Sequence, residues 1–237
     1  MSRVDEVGRR FGLSAHGIAA LRAVLELQAE DPTASTTVRD PEAAADRHVA
    51  DSLVALEIPA VGAARRIVDI GSGAGWPGLA LAAALPSARV ALVESAVRHC
   101  RYLDRAVAAS GLTTVDVVHA RVEEWEAGFN ANDLVTARAL AALPVVVEYA
   151  APLLAEGGHL VAWKGEIDAD EAKDGNAAAD AVGLATVEVR DVDPYPHAGR
   201  RTLRVFRKIA STPPRFPRRP GMAVKRPLGA GSGRTAR

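Results

Sequence analysis

At 237 residues the chain is long enough for one domain with extensions, and 49% hydrophobic residues set it apart from disordered chains. A single cysteine, Cys100, excludes an internal disulfide and a thiolate metal cluster, so no metal site is expected. The zero formal charge hides a division: residues 200–237 hold 12 of the 29 Lys and Arg and no acid, leaving 17 basic against 29 acidic residues over 1–199, a net of −12. A basic tail on an acidic body predicts a polyanionic partner, nucleic acid first.

Arg3, Asp5, Glu6, Arg9 and Arg10 break any apolar core of a secretion signal, and with one cysteine a reducing, cytoplasmic location is expected. Ser14 to Glu30 carries Ile18, Leu21, Val24 and Leu25 at helical spacing. Asp40-Pro41 predicts an N-cap and first helical position, opening a helix to about Leu56. Residues 1–60 therefore form an N-terminal helical extension. Ile67 to Ile70 is a buried strand running into glycines, with an apolar helix, Leu79 to Leu85, behind them. Residues 70–88 are uncharged, but four glycines and two prolines argue against a membrane span.

Strands and helices then alternate. Strands are predicted at Arg89–Glu94, Val115–His119, Asp133–Ala137 and His159–Trp163, with helices at Ser95–Ser110, Leu143–Leu154 and Asp168–Val182. Thr186–Val192 and Thr202–Ile209 are two further strands with no helix between them. Five βα units require a parallel sheet covered on both faces, and the closing pair predicts a hairpin with one antiparallel edge strand. Residues 61–210 thus read as an α/β core of seven strands, the Rossmann-like class I fold of most S-adenosylmethionine methyltransferases. The Pro- and Arg-rich tail, 211–237, is predicted extended or disordered on its own.

Gly71, Gly73, Gly75 and Gly78 leave room for a nucleotide-like cofactor. Gly73-Ala-Gly-Trp-Pro-Gly78 also satisfies the dinucleotide pattern, which keeps an NAD-dependent oxidoreductase open. Asp69 weighs against it, since a carboxylate opposes a pyrophosphate and suits a cationic sulfonium. Glu94, at a strand end, suits ribose hydroxyls in either case. S-Adenosylmethionine is the favoured cofactor.

Amine methylation typically leaves an Asn/Asp-Pro-Pro-aromatic tetrapeptide after the fourth strand, but residues 136–139 read Thr-Ala-Arg-Ala. Cytosine C5 chemistry needs a nucleophilic cysteine, and Cys100 falls mid-helix elsewhere. Guanine N7 carries an in-plane lone pair and no proton to remove, so proximity and orientation suffice. A protein or small-molecule acceptor stays open, though it leaves the basic tail unexplained.

Five ordered motifs carry a resemblance: Arg47-His48-Val-Ala-Asp51-Ser-Leu53, Asp69 to Gly78, Ala120-Arg121-Val122-Glu123-Glu124-Trp125, Ala137-Arg138-Ala139 and Trp163-Lys164-Gly165. Together they resemble the small-subunit ribosomal RNA guanine-N7 methyltransferases, also called glucose-inhibited division protein B. Phe216 to Gly221 and Lys225 to Leu228 are similar to the family's C-terminal extension. The resemblance implies methylation of a guanine N7 in the 530 loop of 16S rRNA, free or within the 30S subunit. It implies that Gly71 and Trp76 line the cofactor, that Val122 and Glu123 meet its adenine, and that Arg138 reaches the cofactor or the guanine. Trp76 stands where family members more often carry Leu or Phe. His48 and Asp51, three apart on one helix face, are assigned positioning and not acid/base work. Candidate RNA contacts are Arg121, Lys164, Arg200, Arg201, Arg215, Arg218 and Arg219. The expected state is a monomer.

Overall fold

The fold is seen in a computed structural model that describes residues 1–229. Helices α1 (Arg3–Arg10) and α2 (Ala15–Glu30) open the chain. Ser14 caps α2 by accepting from the Gly17 N–H. The predicted single helix after Asp40 is instead α3 (Pro41–Ala44), a π-helical stretch over Ala45–Ala50, α4 (Asp51–Leu53) and a 3₁₀ turn over Val54–Glu57. Asp40 accepts from the Ala43 N–H as predicted. The wide π turn is a device common at functional sites. A short α5 (Pro59–Ala63) leads into the sheet.

The alternating region gives β1 (Arg66–Ile70), α6 (Gly78–Ala84), β2 (Arg89–Glu94), α7 (Val97–Ser110), β3 (Val115–His119), β4 (Asn132–Arg138), α8 (Leu143–Ala150), β5 (Leu154–Lys164), α9 (Ala169–Val182), β6 (Leu184–Val192) and β7 (Arg201–Lys208). The sheet order is β3-β2-β1-β4-β5-β7-β6. All strands are parallel except β7, which runs antiparallel to both β5 and β6. The antiparallel strand therefore stands one place in from the edge. The β6–β7 hairpin folds back so that β7 pairs with β5 and leaves β6 outermost.

Successive strand residues face opposite layers. Ile67, Leu92 and Leu134 pack toward α2, α6 and α7, whereas Val68, Val93 and Val135 pack toward α8 and α9. Leu21, Val24 and Leu53 share the first layer with Leu79 and Leu103, so the N-terminal helices complete the core.

The tail differs from its expectation. Over 211–229 it is irregular apart from α10 (Met222–Lys225), yet it packs on the core: Phe216 is buried in the second layer with Leu228 against it. Its composition favours an extended chain, but Phe216 joins the second core layer and Arg218 pairs with Glu148 on α8. Residues 230–237 lie outside the described residues. Among the described residues no helix is long and apolar enough to cross a membrane.

Candidate active site

Strand order reverses between β1 and β4, and a crevice opens there at the carboxyl ends of the strands, where ligands of open α/β sheets sit. The loop after β1 shapes it. Gly71 has φ +67°, a left-handed conformation that favours glycine, and a Cβ there would stand 2.5 Å from Leu140 Cδ1. A cavity of about 520 Å³ is bordered by Gly71, Gly73, Trp76, His48, Asp51 and Arg138. A smaller one, about 160 Å³, is bordered by Gly71, Val93, Val122, Glu123, Leu140 and Val224. Gly71 belongs to both, so the two make one bent cleft.

Asp69 stands beneath the cleft and lines neither cavity. Its Oδ1 accepts from Thr136 Oγ1 at 2.9 Å and its Oδ2 from the Gly78 N–H at 3.3 Å, while Ser72 Oγ donates to its carbonyl. Burial pushes this carboxyl up to about 6. The residue ties β1, β4 and the start of α6 together, so the sulfonium contact expected of it is not what its position offers. Glu94 braces the same loop: Oε2 accepts from the Gly73 N–H at 3.0 Å and Oε1 from the Ala96 N–H at 2.9 Å. Its carboxylate sits beside the loop at the end of β2 and, like that of Asp69, lines neither cavity.

The π-helical stretch brings His48, and α4 brings Asp51, to the large cavity, where β4 delivers Arg138. Arg138 Nη1 donates to Asp51 Oδ2 at 2.7 Å and to the Arg47 carbonyl at 3.1 Å; Nη2 stands 3.2 Å from His48 Nδ1. A guanidinium only donates, so His48 Nδ1 accepts. The imidazole proton then sits on Nε2, 3.0 Å from Thr36 Oγ1. Burial, and then the Arg138 charge, lower the His48 pKa to about 3. The ring stacks on Trp76, centroids 5.8 Å apart, and Trp76 Nε1 donates to Gln28 Oε1 at 2.8 Å. Trp163 Nε1 donates to the Asp51 carbonyl, and Arg201 Nε stands 3.3 Å from Asp51 Oδ1.

The small cavity has a different character. Val93, Val122 and Leu140 give it apolar walls, with Glu123, Ser95 and Tyr149 as polar edges. A flat base with a polar rim fits such a slot, and the larger cavity beyond Gly71 has room for a further group and an acceptor. The residues present thus fit a nucleoside cofactor.

Several expected RNA contacts are already engaged. Lys164 Nζ donates to Glu171 Oε1 and to the Ala141 carbonyl, both at 2.8 Å. Arg218 is paired with Glu148, itself 1% exposed. Arg200 is exposed, with long contacts of 3.7 Å to Glu166 and Asp191. Arg215 lies over the Phe216 ring, and Arg219 is exposed. Among the described residues Arg47 and Arg121 have no ion-pair partner, and each borders a cavity. Arg47 belongs to one of the ordered motifs, which assigns it no role. Ser35, Tyr195 and Val224, which also border the cleft, gave no sequence signal because loops distant in the chain bring them there.

The family model described as rRNA small subunit methyltransferase G matches residues 27–197. A ribosomal RNA small subunit methyltransferase G from Rubrobacter xylanophilus is 43% identical over 199 residues, covering 81% of this chain and 76% of that protein. One of the same name from Geobacillus kaustophilus is 32% identical over 221 residues, covering 91% and 93%. Among solved structures, the antibiotic-resistance methyltransferase Kmr matches with a TM-score of 0.52 at 22% identity, covering 66% of this chain and 92% of that one. That likeness is one of fold.

Proposed function

The chain belongs to the rRNA small subunit methyltransferase G family, and from that premise we propose that it transfers the methyl group of S-adenosylmethionine to N7 of a guanine in the 530 loop of 16S rRNA. When bound, the cofactor supplies an electrophilic methyl group on a sulfonium. Val122 and Glu123 hold its adenine, Gly71 and Gly73 let its middle pass close to the backbone, and Glu94 is placed for its ribose.

One observation carries the choice of acceptor: the large cavity holds cations but no free base. His48 has its lone pair occupied by Arg138, and the Asp51 carboxylate is held between Arg138 and Arg201. An acceptor there must bring its own unprotonated lone pair, and guanine N7 does. Of the five N–H groups of Arg138, three are committed to Asp51, Arg47 and His48, leaving two for an acceptor in the cavity. Guanine O6, beside N7, is such an acceptor. Orientation and exclusion of water then supply the rate enhancement.

Arg47, Arg121, Arg200, Arg215 and Arg219 are the groups for RNA phosphates, while Arg201 stays on Asp51. The target base leaves its stack to enter the cleft, as is usual for enzymes that modify a base. We take the chain to act in the cytoplasm as a monomer, on naked rRNA or on the 30S subunit. The test is incubation with labelled S-adenosylmethionine and unmodified 30S particles. Label at one guanine N7 of the 530 loop is the expected result; label elsewhere, or none on RNA, overturns the proposal.

A further inference from the structure

The C-terminal segment packs on α8 and brings Val224 of α10 to the small cavity. Arg218 grips Glu148 with two prongs, Nε to Oε1 at 2.7 Å and Nη2 to Oε2 at 2.5 Å. The same Nη2 donates to the Arg226 carbonyl at 2.8 Å. One guanidinium thus ties both ends of residues 218–226 to a buried carboxylate on α8. Within that loop the Gly221 N–H donates to Glu123 Oε1 at 3.0 Å, and α10 brings Val224 to the cavity wall. Val224 is 60% exposed, an apolar side chain left open at the mouth of an apolar slot.

We infer that residues 218–226 are a cofactor-binding element: Val224 forms the outer wall of the adenine subsite, and Arg218 positions it by holding the segment to Glu148. This rests on the reading of the small cavity as the adenine site. Gly221 holds one oxygen of Glu123 at the cavity edge, where Tyr149 also faces that carboxylate. The segment lies more than a hundred residues from the glycine loop in sequence, yet both close on the same ligand. Affinity for the nucleoside therefore depends on the tail as well as on the loop after β1.

Calorimetry on the full chain tests this, with S-adenosylhomocysteine and with 5′-methylthioadenosine, which keeps the nucleoside but lacks the amino-acid half. Val224→Glu replaces the apolar contact with the base by a charged side chain that keeps its water at the cleft mouth, and is expected to raise Kd for both ligands about tenfold, the effect of about 1.4 kcal/mol. Its melting temperature stays that of the wild type, because Val224 is exposed. Arg218→Ala is expected to weaken both ligands in the same ratio, with partial recovery in Arg218→Lys, which can pair with Glu148 but cannot form the fork. Bound ligand should also slow tryptic cleavage after Lys225 in the wild type. Wild type that binds while both Val224→Glu and Arg218→Ala match it overturns the role of the segment alone. Wild type that binds neither ligand overturns the cofactor reading, and this inference with it.

Discussion

Arg138 organises the large cavity by serving three partners at once, which only a planar fork can do. Arg138→Lys keeps the charge but cannot hold Asp51, His48 and an incoming acceptor together; single-turnover methylation of 30S particles should fall about tenfold or more. Arg138→Ala leaves the buried Asp51 with Arg201 alone, a loss below the roughly 3–5 kcal/mol of a buried charge left with no partner, which chemical denaturation would register. His48→Ala should lower methylation and spare cofactor affinity, because the ring orients Arg138 and stacks on Trp76 without acting as a base. Since its pKa lies near 3, the rate should show no His48 titration between pH 5 and 8. An inflection near 6.5 that vanishes in His48→Ala would contradict that role. The stability linkage has a definite sign. A histidine depressed from 6.5 to about 3 binds protons more readily unfolded, so its contribution is present above pH 6.5 and is lost as pH falls toward 3. Asp69, raised to about 6, acts oppositely: its contribution is present below pH 3.8 and lost as pH rises through 6. Melting temperatures of Asp69→Asn against wild type between pH 4 and 7 separate the two.

At the level of elements, the βα alternation was legible because apolar runs bounded by glycine and capping residues are local signals. Ser14, Asp40 and Gly111 mark helix ends in the structure as in the sequence. The π-helical stretch at 45–50 was not legible, since six residues of wider pairing carry no periodic signal distinct from an α-helix. The charged helix α1 lacks an apolar run and went unread. The tail was the largest surprise, because its composition describes how it behaves alone, whereas Phe216 and Arg218 answer to α8. Removing residues 211–237 should therefore destabilise the core, and not merely weaken RNA binding. It exposes the pocket of Phe216 and strands Glu148 as an unpaired buried carboxylate, together about 3–5 kcal/mol or more. A truncated chain with an unchanged denaturation midpoint would show that the contacts of the tail contribute nothing.

Over the whole molecule, counting charges located the basic excess but could not say which cations were free. Lys164 and Arg218 are consumed within the fold, whereas Arg47 and Arg121 border the cleft without ion-pair partners among the described residues. The distinction predicts a salt dependence. On single-stranded RNA each neutralised phosphate contributes about 0.7 to the slope of log affinity against log salt. Arg47→Ala and Arg121→Ala should each flatten that slope by close to this amount in filter binding to rRNA. Lys164→Ala should leave it unchanged, since its ammonium already faces Glu171. Equal flattening by all three would mean that the ion pair opens on the RNA. The cofactor reading was legible from the glycine loop, but Asp69 pointed to it by the wrong route: the carboxylate braces the loop from below and does not face the cleft.

The pairing of Glu148 with Arg218 spans 70 residues, and that interval has a meaning in time. A ribosome adding about 5–20 residues per second makes Glu148 roughly 4–14 s before the arginine that neutralises it. Throughout that interval α8 holds a carboxylate that favours water over the sheet, so its docking waits for the end of synthesis. The layer of α8 on the sheet is therefore secured late, after β7 has already been made.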